Sequence, residues 1–234
     1  MTLIVVVPTK EGIVMASDGQ LTAGMIRSYG RKIKKLNDRC LWSAAGELAL
    51  IQRVEENINM LTLNKSLPEL RDELTQIVKK CVTELLNLDF RTPFFQQDPN
   101  RLLQLHPGDF VFAEYLNEPY ILHITVNGTP EWIRNRFFAT GSGAPFAYAL
   151  LGKYLTHELD LERASVLAYK VIEEAIEVGA YGLGFPIDIW HISASGVINL
   201  EQKRLAMIED TVKTLREMEV ELLISKMKTN EPHS

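Results

Sequence analysis

The chain has 234 residues, 46% of them hydrophobic and 24% charged, a balance typical of a globular protein with room for one large core. Its formal net charge of −5 leaves no surplus of Lys and Arg to neutralise phosphates, which argues against nucleic acid as the principal partner. The two cysteines, Cys40 and Cys81, show no paired spacing, and His106, His123, His157, His191 and His233 show no ligand spacing. The expectation is therefore a cytoplasmic protein from a reducing compartment, with no metal and no cofactor.

Thr2 follows Met1 directly. With Met1 removed, one residue would carry both a hydroxyl and a free α-amine, whose reference pKa of about 7.7–8.0 leaves much of it neutral near physiological pH. An amine of that kind can serve as the base for its own hydroxyl nucleophile. Residues 3–8 and 12–17 are apolar, β-branched runs separated by Thr9-Lys10-Glu11, which predicts a β-hairpin. The first run is far too short for a membrane span or the core of a signal peptide. Residues 40–45 form another short apolar stretch, ending at Gly46. From Glu47 the period changes, with Leu48, Ile51, Val54, Ile58 and Leu61 at helical spacing. A second helix is predicted from about Ser66 to Leu88, with Pro68 tolerated in its first turn.

Residues 89–108 hold three prolines and no clear period, so they read as a surface loop in which Phe90, Phe94 and Phe95 would form an apolar contact patch if exposed. Residues 110–116 and 120–126 alternate as strands, and Asn127-Gly128 is a strong hairpin signal leading into a strand over 132–140. Helices are predicted over 144–155 and 161–178, then strands over 187–192 and 197–200. Leu205, Ile208, Val212, Leu215 and Leu222 make an apolar stripe on a last helix of about two dozen residues. Glu219 interrupts its heptad, which favours packing on the body or on a neighbouring subunit over a coiled coil. Two antiparallel sheets stacked between two helical layers would bury this order of elements.

Several segments form a specific set in chain order. They are Thr2, Ser17-Asp18-Gly19-Gln20-Leu21-Thr22-Ala23-Gly24, Arg31-Lys32-Ile33-Lys34-Lys35-Leu36, Ala44-Ala45-Gly46 and Gly141-Ser142-Gly143-Ala144-Pro145-Phe146-Ala147-Tyr148. Through them the chain resembles the proteasome β-subunit family of N-terminal-threonine hydrolases, most closely its HslV-type and bacterial proteasome-homologue branch. The resemblance implies an α+β fold, a four-layer αββα sandwich of the Ntn-hydrolase kind. One domain would span residues 1–234, with 203–234 as a C-terminal helical extension.

The resemblance also implies the site. Thr2 would be the nucleophile, and Lys32 would lie beside its hydroxyl with a charge that favours deprotonation. Asp18 would hold Lys32, the Gly46 N–H would be the oxyanion donor, and Ser142 would help route the proton through water. Leu21, Thr22, Ala44 and Leu48 would bind substrate, with Leu21, Ala44 and Leu48 lining an apolar pocket before the cut and the peptide adding a strand. The implied assembly is a homo-oligomer of two stacked rings of six or seven subunits, seven preferred, taking polypeptide substrates and working with an ATP-driven unfoldase.

Two departures stand out. The family usually carries an acidic residue and a serine in the segment aligning with Gly179-Ala180-Tyr181-Gly182, and the interval from Asp18 to Lys32 is one residue short. The interval from Lys32 to Gly46 is intact, which selects Lys32 over Lys34 and Lys35. The departures motivate an alternative, a ring-forming scaffold with a silent or residual site; a small-amide acylase on the same fold is a third reading. Taken singly, Asp18-Gly19 is a turn dipeptide, Lys32 a surface lysine, and Asn127-Gly128-Thr129 a hairpin turn before it is a glycosylation acceptor. Gly141-Ser142-Gly143 fails as a dinucleotide fingerprint because Phe146 stands where a third glycine belongs.

Overall fold

Residues 3–7 are apolar at every position, and the fold uses both of their faces. Leu3, Val5 and Val7 pack in one core cluster, while Ile4 and Val6 point the opposite way into another. A strand covered on both sides produces such an unbroken apolar run. The computed structural model describes residues 2–23, 26–61, 64–85, 108–125, 127–154, 159–179 and 182–228. The expected loop over 89–108 with its three phenylalanines, and the Met1 end, lie outside these residues, save for Gly108.

The chain starts with β1 (Ile4–Pro8) and β2 (Gly12–Ser17), paired antiparallel with Ile4 opposite Ser17 and Pro8 opposite Ile13. Next comes a hairpin of β3 (Gln20–Ala23) and β4 (Ile26–Tyr29), which the sequence reading did not anticipate. The short β5 (Lys34–Lys35) pairs with β6 (Cys40–Gly46), and β6 leads through Glu47 into α1 (Leu48–Ile58). Helix α2 (Leu67–Glu84) opens on a capping box in which Ser66 and Glu69 satisfy each other's backbone N–H groups, with Pro68 in the first turn.

Strands β7 (Gly108–Tyr115), β8 (Pro119–Ile124) and β9 (Pro130–Ile133) complete a five-stranded antiparallel sheet in the order β5-β6-β7-β8-β9. The predicted strand over 132–140 is in fact two strands in different sheets. β9 pairs with β8, while β10 (Phe138–Thr140) pairs with β1 in the other sheet. Asn135 makes the crossing in a left-handed conformation (φ 53°), which asparagine tolerates better than most residues.

Helices α3 (Ala144–Tyr154) and α4 (Leu161–Glu177) follow, α4 capped by the Asp160 carboxylate on the Arg163 N–H at 2.7 Å. Strands β11 (Asp188–Ser193) and β12 (Gly196–Asn199) close the first sheet in the order β10-β1-β2-β11-β12. The chain then runs into α5 (Gln202–Lys228).

The result is a four-layer αββα sandwich. Leu50, Val54, Leu70 and Leu74 of α1 and α2 pack on Trp42, Phe110, Phe112 and Leu122 of the second sheet. Ala147, Leu151, Ala164, Ala168 and Ile172 of α3 and α4 cover the first. Ile4, Met15, Leu41, Val111, Phe138 and Trp190 fill the space between the sheets.

Helix α5 buries apolar side chains against this body in its first half. Ile208 and Val212 are buried, whereas Leu222 and Leu223 are 58% and 67% exposed. Arg204 pairs with Glu162, and Arg216 with Glu173 and Glu177. Glu219, which breaks the heptad, accepts from Lys170 Nζ at 3.0 Å and from the Tyr154 hydroxyl at 3.3 Å. Among the described residues no helix is long and apolar enough to cross a membrane.

Candidate active site

At the end of β2 the chain turns through Asp18 and Gly19. A Cβ on Gly19 would meet the Pro186 carbonyl oxygen at 2.4 Å, so the backbone there packs directly on the 182–186 segment. Asp18 is fully buried, and a buried carboxylate requires partners. It accepts N–H bonds from Leu3 at 2.8 Å, Gln20 at 3.2 Å and Gly184 at 3.3 Å, and binds Lys32 Nζ at 2.6 Å. The Asp18 N–H returns a bond to the Leu3 carbonyl at 3.2 Å, extending the β1–β2 ladder to the residue beside Thr2.

Lys32 is nearly as buried as its partner. Burial pushes its ammonium below the usual lysine range, while the charge and hydrogen bond of Asp18 act in the opposite direction. The Ser43 hydroxyl donates to the Lys32 carbonyl at 2.8 Å and ties this segment to β6.

Thr2 is bracketed from the far side by residues 141–143. Its N–H donates to Ser142 Oγ at 3.4 Å, and its carbonyl accepts from the Ser142 hydroxyl and the Gly143 N–H, each at 3.4 Å. Glycine at 141 is required twice over. The residue sits at φ 97°, and a Cβ there would meet the Thr2 oxygen at 2.1 Å and Ala45 Cβ at 3.4 Å. That contact also locates the end of β6, where Gly46 turns at φ 150° from strand to helix, in the neighbourhood of Thr2.

The structure thus brings together Thr2, Asp18, Lys32 and Ser142, with Gly46 at the adjoining turn. The expected substrate residues flank this group. Leu21 lies half-buried on β3 against Gly30, where a Cβ would meet Leu21 Cδ1 at 2.6 Å. Thr22 follows on the same strand, opposite Arg27. Ala44 is nearly buried in the helix-facing cluster of β6, and Leu48 stands half exposed at the start of α1. Among the described residues β3 and β4 pair only with each other, so the hairpin keeps a free edge.

Sequence reasoning missed part of the frame. Gln20 Nε2 donates to the Gly182 carbonyl at 2.7 Å, and the Gly184 N–H reaches Asp18, so the 182–184 segment is a wall of the site. The Gly- and Pro-rich run Gly182-Leu183-Gly184-Phe185-Pro186 was its signal. Gly179, where the family's usual pattern departs, ends α4 at φ 68° with its N–H on the Ile176 carbonyl at 3.0 Å. Ala180 and Tyr181 lie outside the described residues.

The proteasome subunit family model matches residues 2–89 and 108–191, well over half of the chain. The chain belongs to the proteasome subunit family. It is 25% identical over 198 residues to proteasome subunit beta 1 of Pyrococcus horikoshii, covering 84% of this chain and 93% of that one. It is 27% identical over 224 residues to proteasome subunit beta 2 of Pyrobaculum islandicum, covering 87% and 98%. Proteasome subunit beta 2 of Thermococcus gammatolerans is 24% identical over 176 residues, covering 74% and 81%. These relatives say nothing for the HslV-type branch. Within the proteasome family, the four-layer fold described above is the frame on which Thr2, Asp18 and Lys32 converge.

Proposed function

We propose that this proteasome-family chain is a threonine peptidase whose nucleophile is Thr2 once Met1 has been removed. Thr2 Oγ1 attacks the carbonyl carbon of the scissile peptide, its proton passing to the freed α-amine and then to the leaving nitrogen. The resulting acyl ester on Thr2 is hydrolysed by water, which restores the hydroxyl. Lys32 supplies a fixed positive charge near the hydroxyl, and Asp18 orients it. The Gly46 N–H stabilises the oxyanion, a contribution of about 2.7–4 kcal/mol for one such donor. Ser142, bonded to both the Thr2 nitrogen and the Thr2 carbonyl, relays the proton.

One observation carries this reading: buried Asp18 holds both the Lys32 ammonium and the Leu3 N–H, so the charge is anchored to the peptide next to Thr2. The substrate lies extended between the free edge of β3 and the Gly46–Leu48 turn, adding a strand by main-chain bonds. Leu21, Ala44 and Leu48 then give an apolar pocket before the cut. Assembly is as two face-to-face rings of six or seven with the threonines inside. The exposed apolar side chains of the outer half of α5 are suited to subunit contacts.

The test is the intact mass of the purified protein before and after an epoxyketone or β-lactone inhibitor. Loss of Met1 and a single adduct that disappears in Thr2→Ala is the expected result. A free threonine that never reacts would shift the reading to a ring-forming scaffold with a silent site.

A further inference from the structure

Between the sheets, behind the site, lies a polar group that the proposed chemistry does not use. Asp109 stands on β7 directly opposite Ala45, with Gly108 opposite Gly46, so its backbone is paired with the oxyanion end of β6. Its side chain crosses to the other sheet. Oδ2 accepts from the Thr140 hydroxyl at 3.3 Å, and Oδ1 faces His123 Nε2 at 3.2 Å. Thr140 is buried, ends β10 and immediately precedes Gly141. His123 is held in turn, its ring packed on Phe138 with centroids 4.7 Å apart. An ionised carboxylate only accepts, so this contact takes its hydrogen from His123 Nε2. Its Nδ1 faces the Glu131 carboxylate at 3.9 Å, which is itself tied to Arg136 at 3.0 Å.

We infer that Asp109 is a positioning residue for the site, with His123 fixing its carboxylate and Thr140 transmitting its hold to residues 141–142. The two neighbours of Thr2, the Gly141–Ser142 turn and the Ala45–Gly46 end of β6, belong to different sheets. Asp109 is paired by its backbone to one and bonded by its carboxylate to the other. It therefore sets the separation between the group that brackets the Thr2 nitrogen and the N–H proposed to receive the oxyanion. A hydrogen bond to an ionised acceptor in a largely dry layer, long here at 3.3 Å, biases the two ends toward that spacing. Misplacement of a reacting group by about 1 Å is enough to slow chemistry by about a hundredfold.

The inference rests on the peptidase reading for its chemical consequence, and its structural part is tested separately. Full-length Thr140→Val, which keeps shape and removes the hydroxyl, is compared with Thr140→Ser and Asp109→Asn. Amide hydrogen exchange over residues 139–143 and the saturation kinetics of β-lactone reaction at Thr2 are followed in each. Thr140→Val and Asp109→Asn are expected to speed exchange about tenfold, as loss of one hydrogen bond would. They are expected to slow the limiting rate of Thr2 acylation about 10- to 100-fold at unchanged saturation constant, and Thr140→Ser to behave as wild type in both. Exchange in Thr140→Val equal to wild type overturns the inference. A wild-type protein that never reacts with the lactone sinks the peptidase reading instead, and the exchange comparison still decides the role of Asp109.

Discussion

Lys32 Nζ lies 2.6 Å from Asp18 Oδ1, and both side chains are almost completely closed to solvent. The two partners are not equivalent. Asp18 has three backbone N–H donors besides the lysine, so it remains solvated by the protein if the ammonium is removed. Lys32 holds its ammonium against Asp18 in the same buried site. Asp18→Ala should therefore cost about 3–5 kcal/mol, the usual penalty for removing one partner of a buried ion pair, since it also strips three N–H groups of their acceptor, and Lys32→Met distinctly less. Urea denaturation of both variants checks the order, and a Lys32→Met as damaging as Asp18→Ala would contradict it. Both should abolish inhibitor reaction at Thr2, so stability and reactivity separate in Lys32→Met.

Gly141→Ala is the smallest change that should disturb Thr2 without touching it. The added methyl would overlap the Thr2 carbonyl oxygen and would force a non-glycine residue to φ 97°. Strain of that kind costs about 1–3 kcal/mol. Displacing Thr2 relative to Ser142 and Gly46 should slow inhibitor adduct formation about a hundredfold. Adduct mass against time, with a melting curve on the same sample, provides the measurement. Wild-type reactivity in this variant would mean that residues 141–143 do not set the position of Thr2.

Much of this frame is legible in the sequence. The Leu3–Val7 run, the change of period at Glu47 and the helix start at Ser66 with Pro68 in its first turn each have a local cause, and each produced the expected element. The crossing at Asn135 did not, because Trp132–Ile133 and Phe138–Thr140 both read as strand and only their partners in opposite sheets separate them. The β3–β4 hairpin escaped for a related reason: its strands are four residues each and pair with nothing else described. Thr2, Asp18, Lys32 and Ser142 were legible through the family resemblance. The Asp109–His123–Thr140 group joins residues from three separate strands, a convergence that no spacing along the chain encodes.

A pH dependence follows from Glu114. Its carboxylate is buried on β7 and accepts the Leu67 N–H at the start of α2, with Arg39 Nε 3.8 Å away. Burial raises its pKa above the ordinary glutamate value and outweighs the lowering by the Leu67 bond and by Arg39. The folded state therefore holds this proton more tightly than the unfolded chain. Its contribution to stability falls as pH rises from the unfolded value of about 4.3 to the raised folded one, and is level above that. Glu114→Gln removes the slope, so the variant should gain on wild type across that window and then keep a constant margin. Denaturation midpoints of both proteins from about pH 4 upward decide it; parallel curves would show that Glu114 keeps an ordinary pKa.

The two halves of α5 should respond differently to truncation of their apolar side chains. Ile208 and Val212 are buried against the body, and Ile208→Ala removes packed methylenes from a closed core at about 2–5 kcal/mol. Leu223 is 67% exposed, and Leu223→Ala in an isolated chain should stay within about 0.5 kcal/mol. The ion pairs of Arg204 and Arg216 with α4 lie on partly exposed side chains and add little beyond alignment. A Leu223 that matters must therefore act through another subunit. Its effect should appear as a change in assembled mass with protein concentration, while denaturation of the dissociated chain stays unchanged. Light scattering across a dilution series of wild type and Leu223→Ala distinguishes the cases. Equal assembly in both would leave the outer half of α5 with no part in the subunit contact.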